Sequence, residues 1–394
     1  ELGKDPPYWV GFFREHHVIF AHELKERSNN YVYECWRPYG DIITQVFEKK
    51  IDGVKHRLFP TEKDYLPLIG TRYKSEKLVE MLYNESINNK IILIMNDAHS
   101  TLFTWLSRKI KDMYFPKVIY HRASTFYNYK YFSRNYFQRV NFYQLLHFYF
   151  NEINMLKNSD CYFTGVKREV ELLQHYKINH GEFVIPGIDL SRFKPSKESR
   201  RKVLSEFNLP ENSKIILSPS WYTKEYGVDS VIKAYNIIKN KSDAPVYLIM
   251  VGGVDVDPFY NKAVNSGAIV FTERVTRGKL IELYQASDLT IRAFKDWNVV
   301  NFGSMGNTLL ESIACGTPVI SNNLIHFPGD EIERKRIGKL MGSGVDLAKK
   351  IISILNNPQR YTKCRNIAEK YFDEEKSTNK YFLSIKKLLD KYYE

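Results

Sequence analysis

A chain of 394 residues, 43% hydrophobic and 26% charged, is long enough for two ordinary domains and has the balance of a folded protein, not a disordered or fibrous one. Its net charge of +13 implies anionic partners: a nucleotide, a phosphorylated lipid, a membrane surface or nucleic acid. No apolar run approaches the roughly 18 residues that span a bilayer, and Cys35, Cys161, Cys315 and Cys364 are too scattered for zinc-ligand spacing or a disulfide framework.

The first half alternates short strands and helices. Phe12–Arg27 places apolar residues at Phe13, Val18, Ala21 and Leu24 and reads as a helix after Gly11. Strands are expected at Tyr31–Trp36, Lys90–Met95 and Lys117–Tyr120, the last ending at His121, with a helix over Lys77–Ser86. This rhythm predicts an α/β fold, with crossover helices on a parallel sheet. The leading residues, with Asp5-Pro6-Pro7, lack the charged-then-apolar pattern of a signal peptide. A reducing, cytoplasmic setting is therefore expected.

From Phe126 to Leu156 aromatic residues crowd together with Lys130, Arg134 and Arg139, and no acid occurs until Glu152. Such a segment suits the headgroup layer of an anionic membrane, or a helix pair whose rings are core. Single-stranded nucleic acid also stacks on rings, but no RNA-binding motif accompanies these, so nucleic acid is not expected as a partner.

The second half has a stronger rhythm. A strand at Asp160–Thr164 and a helix at Lys167–Tyr176 lead to the segment Phe183–Pro195. Strands then follow at Lys214–Pro219, Pro245–Gly252, Ala268–Phe271 and Asp288–Arg292, with helices at Val228–Asn240 and Lys279–Ala286. The densest signal is Gly306–Ser321. A glycine opens an apolar helix carrying one carboxylate, Glu311, and Gly316-Thr317-Pro318 leads into the strand Val319–Ser321. Backbone N–H groups at the start of such a helix, Gly306 to Leu309, can cradle a phosphate. A carboxylate one turn further on can accept from two vicinal ribose hydroxyls. A last amphipathic helix is expected over Tyr381–Leu389.

The Gly306–Ile320 segment resembles the donor-site signature of glycosyltransferase family 4, the retaining GT-B enzymes. Gly306, Glu311 and Gly316-Thr317-Pro318-Val319-Ile320 match their places in it. Ile185-Pro186-Gly187-Ile188-Asp189 and Phe193-Lys194-Pro195 are similar to the family's interdomain segment, with one residue fewer after Pro186. The resemblance implies two Rossmann-like domains facing a cleft. Residues 1–188 would form the acceptor-side domain and residues 189–374 the nucleotide-sugar domain. Residues 375–394 would form a helix crossing back to the first.

Departures from the family pattern fall on the donor site. The family's pyrophosphate-binding Arg and Lys are replaced by Trp221 and Tyr226, and its first glutamate falls at Gly303. Arg292, at the end of a strand, and Lys224, in the loop holding Trp221, are the candidate replacement cations. Asn307 and Thr308 join Gly306, Leu309 and Glu311 in the expected donor site. The resemblance assigns His121 to the reacting region, and Gly11, His16 and His99 are candidates on the acceptor side.

The expected activity is retaining, metal-independent transfer of a sugar from a nucleotide-sugar donor to a glycan or lipid-linked acceptor, as in cell-envelope glycan synthesis. No cofactor beyond the donor is expected, nor is a metal, and the enzyme could sit peripherally on the cytoplasmic face of a membrane. A nucleotide-sugar epimerase of the same fold, or a non-catalytic sugar-nucleotide-binding scaffold, are the alternatives.

Overall fold

Apolar strands and one-sided helices assemble into two α/β units in a computed structural model. The structure describes residues 24–394 other than 27, 29, 39–42, 52, 67–69, 97–100, 122–141, 221–225, 243, 253–257, 272–274, 296–304 and 343. One unit combines the described residues up to 184 with 378–394; the other is residues 185–377.

The first unit begins with three strands, β1 (Glu34–Pro38), β2 (Phe47–Ile51) and β3 (Val54–Phe59). β2 and β3 form a hairpin, and β1 runs parallel to β3. A second hairpin, β4 (Glu62–Leu66) and β5 (Gly70–Lys74), precedes helix α1 (Glu76–Asn88). Ser75 caps that helix by accepting from the Leu78 N–H. Then β6 (Leu93–Asn96), α2 (Thr101–Lys109), β7 (Lys117–His121), α3 (Phe142–Lys157), β8 (Cys161–Thr164), α4 (Lys167–Gln174) and β9 (Gly181–Phe183) alternate. The four strands form one parallel sheet in chain order. Met95, Ile119 and Tyr162 from that sheet pack with Ile153, Met155 and Leu156 of α3.

The second unit is α5 (Lys197–Glu206), β10 (Lys214–Pro219), α6 (Val228–Ile238), β11 (Val246–Val251), α7 (Pro258–Asn265), β12 (Ile269–Phe271), α8 (Arg277–Ala286), β13 (Leu289–Arg292), α9 (Asn307–Ala314), β14 (Val319–Ser321), α10 (Glu331–Ile337), β15 (Gly338–Lys339), α11 (Gly344–Leu355) and α12 (Cys364–Tyr371). Its six strands are all parallel, in the order β12-β11-β10-β13-β14-β15. The chain works outward from β10 to one edge, then returns beside β10 at β13 and works outward to the other. In such a sheet ligands bind outside the carboxyl ends of the two strands flanking the reversal, here β10 and β13.

The last helix, α13, runs over Glu374–Tyr393. Its Tyr381 ring packs edge-on against Phe163, centroids 4.9 Å apart, and the Tyr392 and Tyr393 hydroxyls donate to Asp160 and to the Ile91 carbonyl. Gly187 lies so close to the start of this helix that a Cβ there would overlap the Glu374 backbone, and Ile188 pairs in parallel with Asp373. The shortened Pro186-Gly187 turn thus works because glycine has no side chain.

Candidate functional site

The reversal between β10 and β13 gathers the parts of the site. Gly227 opens α6 at φ +64°, and a Cβ there would overlap the Ala293 carbonyl. The end of the loop after β10 therefore lies directly on the backbone that follows β13. Two contacts hold it there, the Tyr226 and Phe294 rings 4.7 Å apart and Lys295 paired with Asp229 at 2.5 Å, while the Asn322 amide after β14 donates to the Phe294 carbonyl at 2.8 Å. At the end of β10, the buried Ser220 hydroxyl has no hydrogen-bond partner among the described residues.

Arg292 ends β13. Its guanidinium carbon sits 4.3 Å from the centre of the Phe294 ring, and its buried Nε has no hydrogen-bond partner among the described residues. Burial lowers the pKa of this arginine. One terminal nitrogen occupies the space that a side chain at Gly306 would fill. Gly306 caps α9 at φ +75°, so a bare glycine allows a cation to lie against the first turn of a helix. The helix dipole is positive at that end, so two positive features stand side by side.

Glu311 is buried, at 2% exposure, in the second turn of α9. Its Oε1 accepts from Arg277 Nη2 at 2.6 Å. Arg277 is the first residue of α8, behind the cap residue Thr276, which accepts from the Lys279 N–H. Its guanidinium lies over the Phe193 ring at 4.8 Å. Arg277 was absent from the residues expected in the site. A cation at the start of a helix opposes the dipole there, and that local conflict is the signal for an acidic partner.

The neighbouring signature residues fix α9 against the sheet. Ser312 Oγ lies 2.8 Å from Thr290 Oγ1 and 3.1 Å from the Thr317 carbonyl, and Thr317 Oγ1 donates to the Tyr284 carbonyl at 2.8 Å. Gly316 turns at φ +85° with Pro195 packed against it.

One expected part needs correction. The Leu309 N–H donates to the Gly306 carbonyl at 3.1 Å and its side chain is fully buried, so Leu309 does not belong to an open phosphate cradle. That leaves the half-buried residues Gly306, Asn307 and Thr308 at the mouth of the helix. The helix around Lys279–Ala286 also begins two residues earlier than expected, which is what brings Arg277 into place.

In the first unit, His121 ends β7 in register with Thr164 of β8. The Thr164 hydroxyl accepts from the Val166 N–H and donates to the buried carboxylate of Glu169. The His121 side chain, together with Gly11, His16, His99 and Lys224, lies outside the described residues. Within the aromatic segment, Ile153, Met155 and Leu156 of α3 are core, while Phe150 is 59% exposed; residues 126–141 lie outside the described residues. Among the described residues no group of three or more His, Cys, Asp or Glu side chains is arranged to hold a metal ion, and no helix is long and apolar enough to cross a membrane.

Comparison with known proteins fits this geometry. Residues 199–371 match the family described as glycosyl transferases group 1. The chain is 27% identical over 192 residues to the alpha-monoglucosyldiacylglycerol synthase of Streptococcus pneumoniae, covering 47% of this chain and 42% of that one. It spans less than half the length of the curated relatives it matches. Among solved structures, sucrose-phosphate synthase from Thermosynechococcus elongatus superposes with a TM-score of 0.69 at 18% identity, over 95% of this chain and 94% of that one. Anabaena HepE in complex with UDP and glucose does so at 0.61 and 13%, over 84% and 86%. The chain thus has the GT-B fold, and its residues 199–371 match the glycosyl transferases group 1 family at low identity to the curated relatives.

Proposed function

We propose that this protein transfers a sugar from a nucleotide-sugar donor, with the donor held at the β10–β13 reversal of the second unit. The arrangement of Arg292, Gly306 and Glu311 around the start of α9 carries this reading. A buried guanidinium beside the positive end of a helix is electrostatically unfavourable until an anion lies between them. A diphosphate supplies that anion. Arg292 takes the part of the two cations that the family keeps and this chain lacks, and Lys224 is the second candidate for it.

Glu311, one turn deeper, accepts from the ribose hydroxyls. The chemistry asks for no metal: charge building on the leaving diphosphate is met by Arg292 and by the backbone at Gly306–Thr308. The configuration at the transferred carbon is retained, the leaving phosphate helping to deprotonate the acceptor. His121 belongs to the reacting region, and Gly11, His16 and His99 to the acceptor side. The acceptor is lipid-linked and met at an anionic membrane surface. The pneumococcal relative, whose name is that of a glucosyldiacylglycerol synthase, supports a lipid acceptor.

The test is thermal shift against uridine, guanosine, cytidine and thymidine diphosphate sugars, with Glu311→Ala and Arg292→Ala as controls. One nucleotide is expected to stabilise the wild type. Both variants are expected to bind it about 10–100-fold more weakly, the range of one hydrogen bond to a charged group. No shift with any donor, from a folded protein, rejects the reading. A shift with no transfer to any acceptor leaves a binding protein instead of an enzyme.

A further inference from the structure

Arg277 stands where no signature residue was expected, and four observations bear on it. It holds the buried Glu311 carboxylate through one oxygen, Oε1, at 2.6 Å. A carboxylate has room for about four hydrogen bonds, and among the described residues none is made to Oε2. The Arg277 side chain is 45% exposed, and its guanidinium rests on the Phe193 ring, itself only 3% exposed. Finally, Arg365 ties together the backbone on the two sides of the pair. It donates to the Phe193 carbonyl at 2.5 Å and to the Leu190 carbonyl at 3.1 Å, and also to the carbonyl of Ala314, the last residue of α9, at 3.2 Å. The ring beneath Arg277 and the helix that carries Glu311 thus hang from one clamp.

We propose that Arg277 is a positioning residue that fixes the Glu311 carboxylate so that its free oxygen reads the vicinal hydroxyls of a ribose, making the site selective for ribonucleotide over deoxyribonucleotide diphosphates. This rests on the donor-site reading above and goes beyond it by assigning the sugar discrimination to a residue outside the signature. A buried carboxylate held at one oxygen by a stacked guanidinium is pre-organised, so little rotamer freedom is lost when ribose binds. A carboxylate without that anchor has to be ordered by the ligand and distinguishes poorly between one hydroxyl and two.

The experiment compares affinities of UDP, GDP and CDP with those of their 2′-deoxy analogues, for wild type, Arg277→Ala and Arg277→Lys. Wild type is expected to prefer the ribonucleotide by about tenfold or more, a single hydrogen bond to a charged group. In Arg277→Ala the preference is expected to collapse to less than about threefold, because affinity for the ribonucleotide falls and affinity for the deoxynucleotide barely changes. Arg277→Lys is expected to restore part of the preference, since a lysine can reach the carboxylate but cannot stack as a plane.

A purely structural arginine would weaken both ligands equally and leave the ratio intact; that result overturns the inference while the donor site stands. A wild type that binds and shows no ribose preference also overturns it. A wild type that binds no nucleoside diphosphate overturns the donor-site reading itself. Should Arg277→Ala fail to fold, Arg277→Gln and the lysine variant carry the same ratio measurement.

Discussion

Gly227 and Gly306 both turn with φ in the left-handed half of the map, and both would push a side chain into an occupied place. What stands in the way differs, and so do the expected effects. At Gly227 the obstacle is the Ala293 carbonyl, backbone that cannot step aside. Gly227→Ala is expected to cost about 2–4 kcal/mol, left-handed strain added to overpacking, and to lower the urea midpoint sharply. At Gly306 the obstacle is the tip of the Arg292 side chain, which can move. Gly306→Ala is expected to cost only about 1–2 kcal/mol of stability. It displaces the guanidinium, however, so nucleotide-sugar binding is lost from a protein that still folds. Equal losses of stability in the two variants would show that Arg292 is not seated on Gly306 in solution. The sequence made Gly306 readable, because glycine before an apolar helix has few explanations. The contact with Arg292 is set by tertiary packing across fourteen residues and leaves no local trace.

Helix α9 has eight residues, too few to persist alone, so its geometry is imposed by what surrounds it. Leu309, Leu310 and Ile313 are buried in the core of the second unit, and Arg365 takes up the Ala314 carbonyl at the carboxyl end. Arg365 reaches across from α12 to Leu190 and Phe193 as well. Arg365→Ala leaves these three part-buried carbonyls short of a donor and is expected to cost about 1–3 kcal/mol. The slope of a urea unfolding curve should stay unchanged, since the surface exposed on unfolding is the same. Arg365→Lys, which offers one donor centre in place of a fork, is expected to recover less than half of the loss. A neutral Arg365→Ala would mean the segment is held by packing alone. The strands of this unit were legible from sequence because they are buried on both faces and read as unbroken apolar runs, as in Lys214–Pro219. The β2–β3 hairpin was not. Asp52-Gly53 is a strong turn signal, but Glu48, Lys49 and Lys50 interrupt the apolar alternation of β2. Arg277 escaped notice for a related reason: its partner Glu311 is 34 residues away.

At the scale of the whole molecule, the net charge of +13 asks where the cations go. The aromatic segment was the expected membrane-facing element, and its Lys130, Arg134 and Arg139 lie outside the described residues. Among the described residues the last helix offers a basic surface. Lys380, Leu383, Lys387 and Lys391 of α13 are all exposed and follow one another at three- and four-residue steps, so they share one face. A row of lysines around an exposed leucine suits the headgroup layer of an anionic bilayer, each cation near the surface adding on the order of 1 kcal/mol. Wild type is expected to sediment with vesicles rich in phosphatidylglycerol at about 20 mM salt and to be released near 0.5 M, where the screening length falls to a few ångströms. Vesicles of phosphatidylcholine alone should not carry it down. The double variant Lys387→Glu, Lys391→Glu should lose most of this binding with its melting temperature intact, since both side chains lie in solvent. Binding that survives the double variant moves the contact elsewhere on the molecule. Failure of the wild type to sediment at low salt removes the membrane from the proposal and leaves a soluble acceptor.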